Sequence, residues 1–299
     1  MKLLITGAWQ QARDYIPTLE ARGHRVFFLQ QERDPLPCNP DAIEGVVCNG
    51  LFLYHPIELF PNLRYIQLTS AGFDRVPMEY VKEHGIEIHN AAGVYSIPMA
   101  EFALVGVLSL YKKLDTFRVQ QRNHDWTKLR DLRELNGKRV LIIGCGNVGS
   151  ECAKRFSAFG CEVIGVNRTV EPKLYFDEVR PLAKSDDLLP TADVVVVTVA
   201  LTDETRGLMT MERIRLMKTD AILVNISRGA VVPTSVLEES VDHIGGAVLD
   251  VFEEEPLSPD SPLWDKRNVL ISPHNSFVGE GNAERLSSLV IRNIKNLSI

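Results

Sequence analysis

The stretch that decides the fold is Arg139-Val140-Leu141-Ile142-Ile143-Gly144-Cys145-Gly146-Asn147-Val148-Gly149. Its apolar first half predicts a short buried strand, and three glycines in the spacing GxGxxG follow directly. A helical pattern over 150–159 and a second apolar run over 162–166 complete a strand-helix-strand unit. In that setting the glycines permit a tight turn, a close approach of a ligand to the backbone, and close packing of the helix on the strand.

This unit predicts a dinucleotide site, because the helix N-terminus offers unpaired N–H groups and positive potential to a pyrophosphate. A glycine-rich turn without a ligand is the alternative, but the strand before the loop and the helix after it favour binding. The residues that we expect to bind the dinucleotide here are Gly144, Gly146, Asn147, Val148 and Gly149.

The end of the next strand bears on which dinucleotide binds. An NAD site usually carries Asp or Glu about 20 residues after the glycine loop, to hold the ribose 2′-hydroxyl. Asn167 stands there instead, and it has no charge that would repel a 2′-phosphate. Arg168 could pair with that phosphate through its planar fork, although a solvated loop arginine is the plain alternative. We therefore favour NADP over NAD, with both side chains contacting the cofactor.

Outward from the loop, short apolar runs alternate with helical patterns in two blocks. The predicted strands are 2–5, 25–29, 45–48, 65–68 and 86–88 in the first block, and 139–143, 162–166, 193–199, 221–225, 246–249 and 269–271 in the second. A helix over 10–22 is predicted in the first block. A long helical stretch over 99–121, with Phe102, Val105, Leu108 and Leu110 toward one side, joins the blocks. The alternation predicts an α/β fold with mostly parallel sheets in two units.

The C-terminal tail predicts one more helix. Its apolar residues recur at helical spacing, so we expect them to form one packed face. They are Leu286, Leu289, Val290, Ile294 and Leu297.

Composition excludes several classes of partner. The chain has 299 residues, enough for two domains, and a net charge of −6 argues against a nucleic-acid groove or an anionic membrane surface. The most apolar run, 194–201, is broken by Thr198 and suits a buried strand. The N-terminus turns polar at Gln10, which is too early for a signal peptide. The five cysteines form no CxxC pair, so we expect reduced thiols in a cytoplasmic protein and no metal site.

Charged side chains follow three successive strands of the second block, where ligands bind in open α/β sheets. Arg228 comes after the strand over 221–225, Glu253 to Glu255 after the next, and His274 after the last. Reduction of a 2-keto acid needs a cation for the carboxylate, a proton donor, and a carboxylate that keeps the donor charged. Each residue alone could be a cap or a solvated loop residue, but the set favours hydride transfer to a small 2-keto acid.

With these residues in place, the chain resembles the D-isomer-specific 2-hydroxyacid dehydrogenases over nearly its whole length. Several independent motifs match in the right order. The matching segments are 69–74, 100–102, 136–140, the glycine loop, 201–207, 225–229, 250–256 and 272–274.

The resemblance implies a role for each of three charged residues. Arg228 would bind the substrate carboxylate and carbonyl, and His274 would be the general acid in reduction and the base in oxidation. Glu255, directly before Pro256, would hydrogen-bond to that histidine and orient it.

It also implies contacts with the two ligands. Asp250 would contact the nicotinamide carboxamide, with further cofactor contacts at Ile226 and Thr205. Backbone N–H groups at Ala71 and Gly72 would cradle the substrate carboxylate.

The resemblance further implies two Rossmann-like or flavodoxin-like parallel-sheet domains in a homodimer. A dinucleotide-binding domain over 99–277 would be inserted into a substrate domain formed by 1–98 and 278–299. Thr198 and Ala200 depart from the family, which usually has histidine and proline there.

Two alternatives and one question stay open. A dinucleotide-sensing corepressor or scaffold on the same fold could keep the same charged residues. In the formate-oxidising branch a glutamine replaces the carboxylate, so Glu255 argues against that branch. Glyoxylate, hydroxypyruvate, phenylpyruvate and branched 2-keto acids all remain candidate substrates.

Overall fold

The computed structural model describes residues 1–295 and divides the chain into two compact units. One comprises Met1–Tyr95 with the segment from Gly279 onward, and the other comprises Ser96–Val278. Each contains one wholly parallel sheet flanked by helices, which confirms the predicted α/β class. Within the described residues, every helix is too short or too polar to cross a membrane.

The strands are β1 Lys2–Thr6, β2 Arg25–Leu29, β3 Gly45–Cys48, β4 Tyr65–Leu68, β5 Glu87–His89, β6 Arg139–Ile143, β7 Glu162–Asn167, β8 Glu178–Pro181, β9 Val194–Val197, β10 Ile222–Asn225, β11 Gly246–Leu249 and β12 Val269–Ile271. The α-helices are α1 Ala12–Glu20, α2 Met78–Glu83, α3 Ser96–Tyr111, α4 Leu114–Arg122, α5 Asn147–Ala158, α6 Ser185–Leu188, α7 Met211–Leu216, α8 Thr234–Ser240 and α9 Asn282–Lys295. Each predicted strand occurs within two residues of its predicted bounds.

The first unit has the strand order β2-β1-β3-β4-β5, which is flavodoxin-like. Helix α9 belongs to this unit, because Leu286, Val290 and Ile294 pack in one buried cluster with β1. A hydrogen bond links α9 to the start of the chain, since Trp9 Nε1 donates to Ser287 Oγ at 2.8 Å. The predicted amphipathic tail is therefore confirmed, and its last member, Leu297, lies outside the described residues.

The second unit has the order β12-β11-β10-β9-β6-β7-β8. After β6 the chain builds outward through β7 and β8, then returns to place β9 on the other side of β6. This reversal opens a crevice between the carboxyl ends of β6 and β9, which is where such sheets bind ligands. The edge strand β8 was not predicted, because Val179 is its one buried residue and no apolar run marks it.

The helical stretch predicted over 99–121 is two helices, α3 and α4. The chain breaks at Lys113, which adopts a left-handed φ of 51°. The predicted apolar face is wrong for Val105, which is 53% exposed. Small residues face the sheet instead: a Cβ on Gly106 would lie 2.6 Å from a methyl of Val248. Packing this close selects small side chains rather than the largest apolar ones.

Candidate active site

The glycine loop lies between β6 and α5, in the crevice of the second sheet. Gly144 makes the turn with φ at 104°, and Gly146 precedes the helix with no side chain capping it. A Cβ on Gly146 would meet no atom within 4 Å, whereas one on Gly149 would lie 2.0 Å from the Gly144 carbonyl oxygen. One side of the loop is therefore open to a ligand and the other is packed against the protein.

Helix α5 supplies the electrostatics of this loop. It has 12 residues, and within the described residues no acid of its first turn and no side-chain cap offsets the positive potential of its N-terminal N–H groups. Both Gly146 and Asn147 are exposed to solvent. These features fit the pyrophosphate of a dinucleotide, which needs N–H donors and a backbone without side chains in the way.

The end of β7 carries no carboxylate. Asn167 is half-buried, and its Nδ2 donates to the Thr169 carbonyl at 3.2 Å. Arg168 is exposed and has no hydrogen bond or ion pair within residues 1–295. The nearest acid along the chain, Glu171, pairs with Lys173 at 3.3 Å. The Arg168 guanidinium is therefore available to a phosphate.

His274 and Glu255 form a direct pair. Nδ1 of the imidazole lies 2.8 Å from Glu255 Oε2, and the other carboxylate oxygen accepts the N–H of Phe252 at 3.1 Å. The side chains are 40% and 38% exposed, so a substrate could reach them. In the described part of the chain nothing hydrogen-bonds to Nε2 of His274. The pair therefore orients the ring and leaves Nε2 to exchange a proton.

The backbone of His274 is strained and firmly held. Its φ is 50°, a left-handed conformation that a side-chain-bearing residue rarely adopts without support. Its N–H donates to the carbonyl of Asp250 at 2.8 Å. The buried carboxylate of Asp250 accepts the N–H groups of Asn275 at 2.7 Å and Ser276 at 3.0 Å. It also accepts the hydroxyls of Ser272 and Ser276.

Asp250 therefore holds the turn that carries His274. The expected contact of its carboxylate with the nicotinamide carboxamide stays a prediction, since both oxygens already accept hydrogen bonds from this turn. Sequence reasoning missed the supporting serines. The only signal was their position two residues on either side of His274.

Arg228 lies on the loop after β10. Its Nη1 donates to the carbonyl of Ser227 at 2.8 Å. The buried Asn225 shapes this loop: its Oδ1 accepts the Ser227 hydroxyl at 2.8 Å and its Nδ2 donates to the Arg228 carbonyl at 3.3 Å. A Cβ on Gly229 would lie 1.8 Å from the carbonyl carbon of Phe252, so this loop packs directly on the segment that leads to Glu255.

Adjacent strands bring the three loops together. Asp250 N donates to Asn225 O at 3.0 Å, and Ser272 N donates to Leu249 O at 2.9 Å, which extends the ladder past the strand ends. Arg228, Glu255 and His274 thus all lie at the carboxyl edge of one sheet, in the loops that follow β10, β11 and β12 in turn. The glycine loop lies at the same edge, since β6 is parallel to them.

Two residues that we expect to contact the cofactor have side chains that contact the protein itself. Thr205 is buried, and its Oγ1 donates to Ala200 O at 2.7 Å and accepts the Thr202 N–H at 2.8 Å. Ile226 is buried in the cluster beneath the sheet. A cofactor contact by either residue stays a prediction, and the side chain of Thr205 shapes its own loop.

In the first unit, Ala71 and Gly72 lie in the loop after β4, where Ala71 is exposed and Gly72 is half-buried. Their carbonyls accept hydrogen bonds from the chain itself: Asn90 Nδ2 donates to Ala71 O at 2.6 Å, and Ser70 Oγ to Gly72 O at 3.2 Å. Over residues 1–295 the N–H groups of Ala71 and Gly72 reach no acceptor. Two such donors on one turn suit a carboxylate.

Comparison with known proteins places this geometry in context. The family model described as "D-isomer specific 2-hydroxyacid dehydrogenase, NAD binding domain" matches residues 104–276. A glyoxylate reductase of Thermofilum pendens is 33% identical over 299 residues, which cover 95% of this chain and 83% of the relative.

Two solved structures extend the likeness to the whole chain. One is a D-isomer specific 2-hydroxyacid dehydrogenase of Xanthobacter autotrophicus in complex with NADPH and MES. It is 27% identical, with a TM-score of 0.78, covering 98% of this chain and 94% of its own. The other is a D-lactate dehydrogenase of Aquifex aeolicus complexed with NAD and lactic acid. It is 25% identical, with a TM-score of 0.80 and the same coverage of both chains.

Proposed function

The chain belongs to the family of D-isomer-specific 2-hydroxyacid dehydrogenases, and we propose that it reduces a small 2-keto acid with NADPH. The family makes it a nicotinamide-dependent oxidoreductase of hydroxy acids. The observation that carries the finer proposal is the pair of His274 Nδ1 and Glu255 Oε2, 2.8 Å apart, on the sheet edge that also carries the glycine loop.

His274 acts as the general acid in this proposal. When bound, the nicotinamide supplies the hydride. The Glu255 carboxylate accepts a hydrogen bond from Nδ1 and orients the ring, so that Nε2 can give its proton to the carbonyl oxygen of the substrate. In the reverse direction the neutral ring takes that proton back. Asp250 serves this step by holding the left-handed turn at His274.

Arg228 anchors the substrate carboxylate. Its guanidinium matches a carboxylate bidentately, which fixes the orientation of the keto group as well as its position. We also propose that the N–H groups of Ala71 and Gly72, which reach no acceptor within residues 1–295, bind a substrate carboxylate.

We assign the cofactor preference to NADPH. Arg168 is exposed and available, and Asn167 leaves the end of β7 without a negative charge. A 2′-phosphate would gain a charge-assisted pair there, whereas the ribose of NAD would find no carboxylate. Among similar structures, one holds NADPH and another NAD, so the family accommodates both.

The substrate class follows from the relatives. Glyoxylate reductases recur among those most similar to this chain, and we propose a keto acid of this small size, glyoxylate or hydroxypyruvate.

A homodimer is the assembly we propose. One stretch of the second unit exposes an unusual number of large apolar side chains, which a second copy would cover. They are Val105, Leu114, Phe117, Val119, Trp126 and Leu132, with Trp126 94% exposed. Light scattering of the purified chain should give twice the chain mass, and Trp126→Glu should give the monomer mass.

A panel assay tests the proposed function. Purified protein is mixed separately with glyoxylate, hydroxypyruvate, pyruvate and phenylpyruvate. For each acid, oxidation of NADPH or of NADH is followed as a loss of the absorbance of the reduced dinucleotide. We expect turnover with glyoxylate and hydroxypyruvate, a preference for NADPH, and D-glycerate from hydroxypyruvate. Dinucleotide binding without turnover on any acid would contradict the proposal and favour a dinucleotide sensor.

A further inference from the structure

Thr198 follows β9 directly and lies beside the glycine loop, in the crevice where the strand order reverses. Its N–H donates to Ile143 O at 2.8 Å, which continues the pairing of β9 with β6. Its hydroxyl lies 2.6 Å from Gly144 O and 3.2 Å from Ile143 O. Since a hydroxyl donates one hydrogen, the shorter contact identifies Gly144 as its partner.

The Gly144 carbonyl receives its hydrogen bond from this hydroxyl. Gly144 is buried, and within residues 1–295 no other group donates a hydrogen bond to its oxygen. The same oxygen packs against the first turn of α5, where a Cβ on Gly149 would approach it to 2.0 Å. The carbonyl is thus held between Thr198 and the helix, and its position sets where the helix begins relative to the loop.

We propose that Thr198 is a positioning residue for the dinucleotide. Its hydroxyl holds the Gly144 carbonyl and so keeps the N-terminal N–H groups of α5 aligned for a pyrophosphate. Thr198 acts through Gly144, on the packed side of the loop, whereas the open side lies at Gly146. This role rests on the proposed function, because it requires a dinucleotide at this loop.

Thr198→Val tests the role, because it keeps the shape of the side chain and replaces the hydroxyl with a methyl. A carbon and an oxygen approach to about 3.3 Å, so a methyl cannot stay at the present distance and the loop must shift by about 0.7 Å. The buried carbonyl also loses its donor. We expect the Kd values for NADPH and NADH to rise together, by about 5- to 30-fold.

Two further variants distinguish a positioning role of the Thr198 hydroxyl from a general loss of protein stability. Thr198→Ser keeps the hydroxyl and should bind both dinucleotides within about threefold of wild type. Thr191→Val is the matched control: Thr191 is also half-buried, and its hydroxyl donates to Leu188 O at 2.7 Å. It precedes β9, whereas Thr198 follows it, so it lies toward the opposite edge of the sheet. Thr191→Val should lower the melting temperature as much as Thr198→Val does, and it should leave the Kd values for NADPH and NADH unchanged.

The experiment titrates NADPH and NADH into each protein without substrate, following dinucleotide fluorescence, and records melting temperatures in parallel. Weak binding by Thr198→Val alone supports the role. Wild-type affinity in Thr198→Val, equal weakness in Thr198→Ser, or equal weakness in Thr191→Val overturns it. If Thr198→Val does not fold, Thr198→Ala removes the hydroxyl without overlap and is judged by the same comparison. Absence of binding by the wild type would instead refute the proposed function.

Discussion

Gly146→Ala separates the folding of the glycine loop from its binding of a dinucleotide. Gly146 has φ −77° and ψ −161°, which any residue adopts, and a methyl there meets no atom within 4 Å. Alanine is a poorer helix N-cap than glycine, but it also loses less entropy on folding. These effects offset each other, so the free energy of unfolding should change by less than about 0.5 kcal/mol.

Binding should respond differently. The methyl would occupy the space through which a pyrophosphate approaches the loop, and displacing the phosphate breaks a charge-assisted hydrogen bond. Such bonds contribute about 1.5–3 kcal/mol, so the Kd for NADPH should rise about 10- to 150-fold. Gly149→Ala is the contrasting variant, since its methyl would lie 2.0 Å from the Gly144 carbonyl oxygen. Backbone must shift there, so we expect a stability loss of about 1–3 kcal/mol as well.

The assay pairs denaturant unfolding with fluorescence titration of NADPH for wild type, Gly146→Ala and Gly149→Ala. Unchanged stability together with weak binding in Gly146→Ala would support the placement of the pyrophosphate. If Gly146→Ala kept wild-type stability and bound NADPH within about twofold of wild type, the pyrophosphate would not lie at this loop.

Three further predictions test other residues. Arg228→Lys should raise the KM for the keto acid by about tenfold or more, because an ammonium lacks the bidentate fork; an unchanged KM would reject its role as anchor. Arg168→Ala should raise the Kd for NADPH far more than the Kd for NADH in separate titrations. An equal rise in both Kd values would mean that Arg168 does not bind the 2′-phosphate. Burial lowers the pKa of His24, with the N-terminal ammonium and Arg22 adding to the effect. The unfolded chain then binds a proton that the folded chain does not, so His24→Asn should reduce the fall in melting temperature between about pH 7 and about pH 5. A fall as steep as in wild type would contradict that assignment.

Local patterns accounted for most of the fold. Strands such as Gly45–Cys48 and Arg139–Ile143 were predicted to the residue, because a buried parallel strand is one short apolar run. Charged residues directly after such strands could be placed at one sheet edge without coordinates. Placement alone left three glutamates as partners for His274, and the resemblance to the family singled out Glu255, whose hydrogen bond to His274 is present in the structure.

Features set by tertiary contacts could not be predicted. The left-handed turn at His274 depends on Asp250, more than twenty residues earlier, whose carboxylate the fold buries beneath it. Likewise a side chain at position 106 would overlap Val248, and helical periodicity does not encode this close contact of α3 with the sheet. In both cases the deciding partner is distant in sequence, and no short-range pattern marks it.

The central claim is that His274 donates the proton as the substrate carbonyl is reduced, and the most direct test is the kcat of His274→Ala with NADPH and hydroxypyruvate. General acid help contributes about 10²- to 10⁴-fold in rate, so kcat should fall by at least about a hundredfold while the Kd for NADPH and the melting temperature stay near wild type. A kcat close to that of wild type would contradict the account.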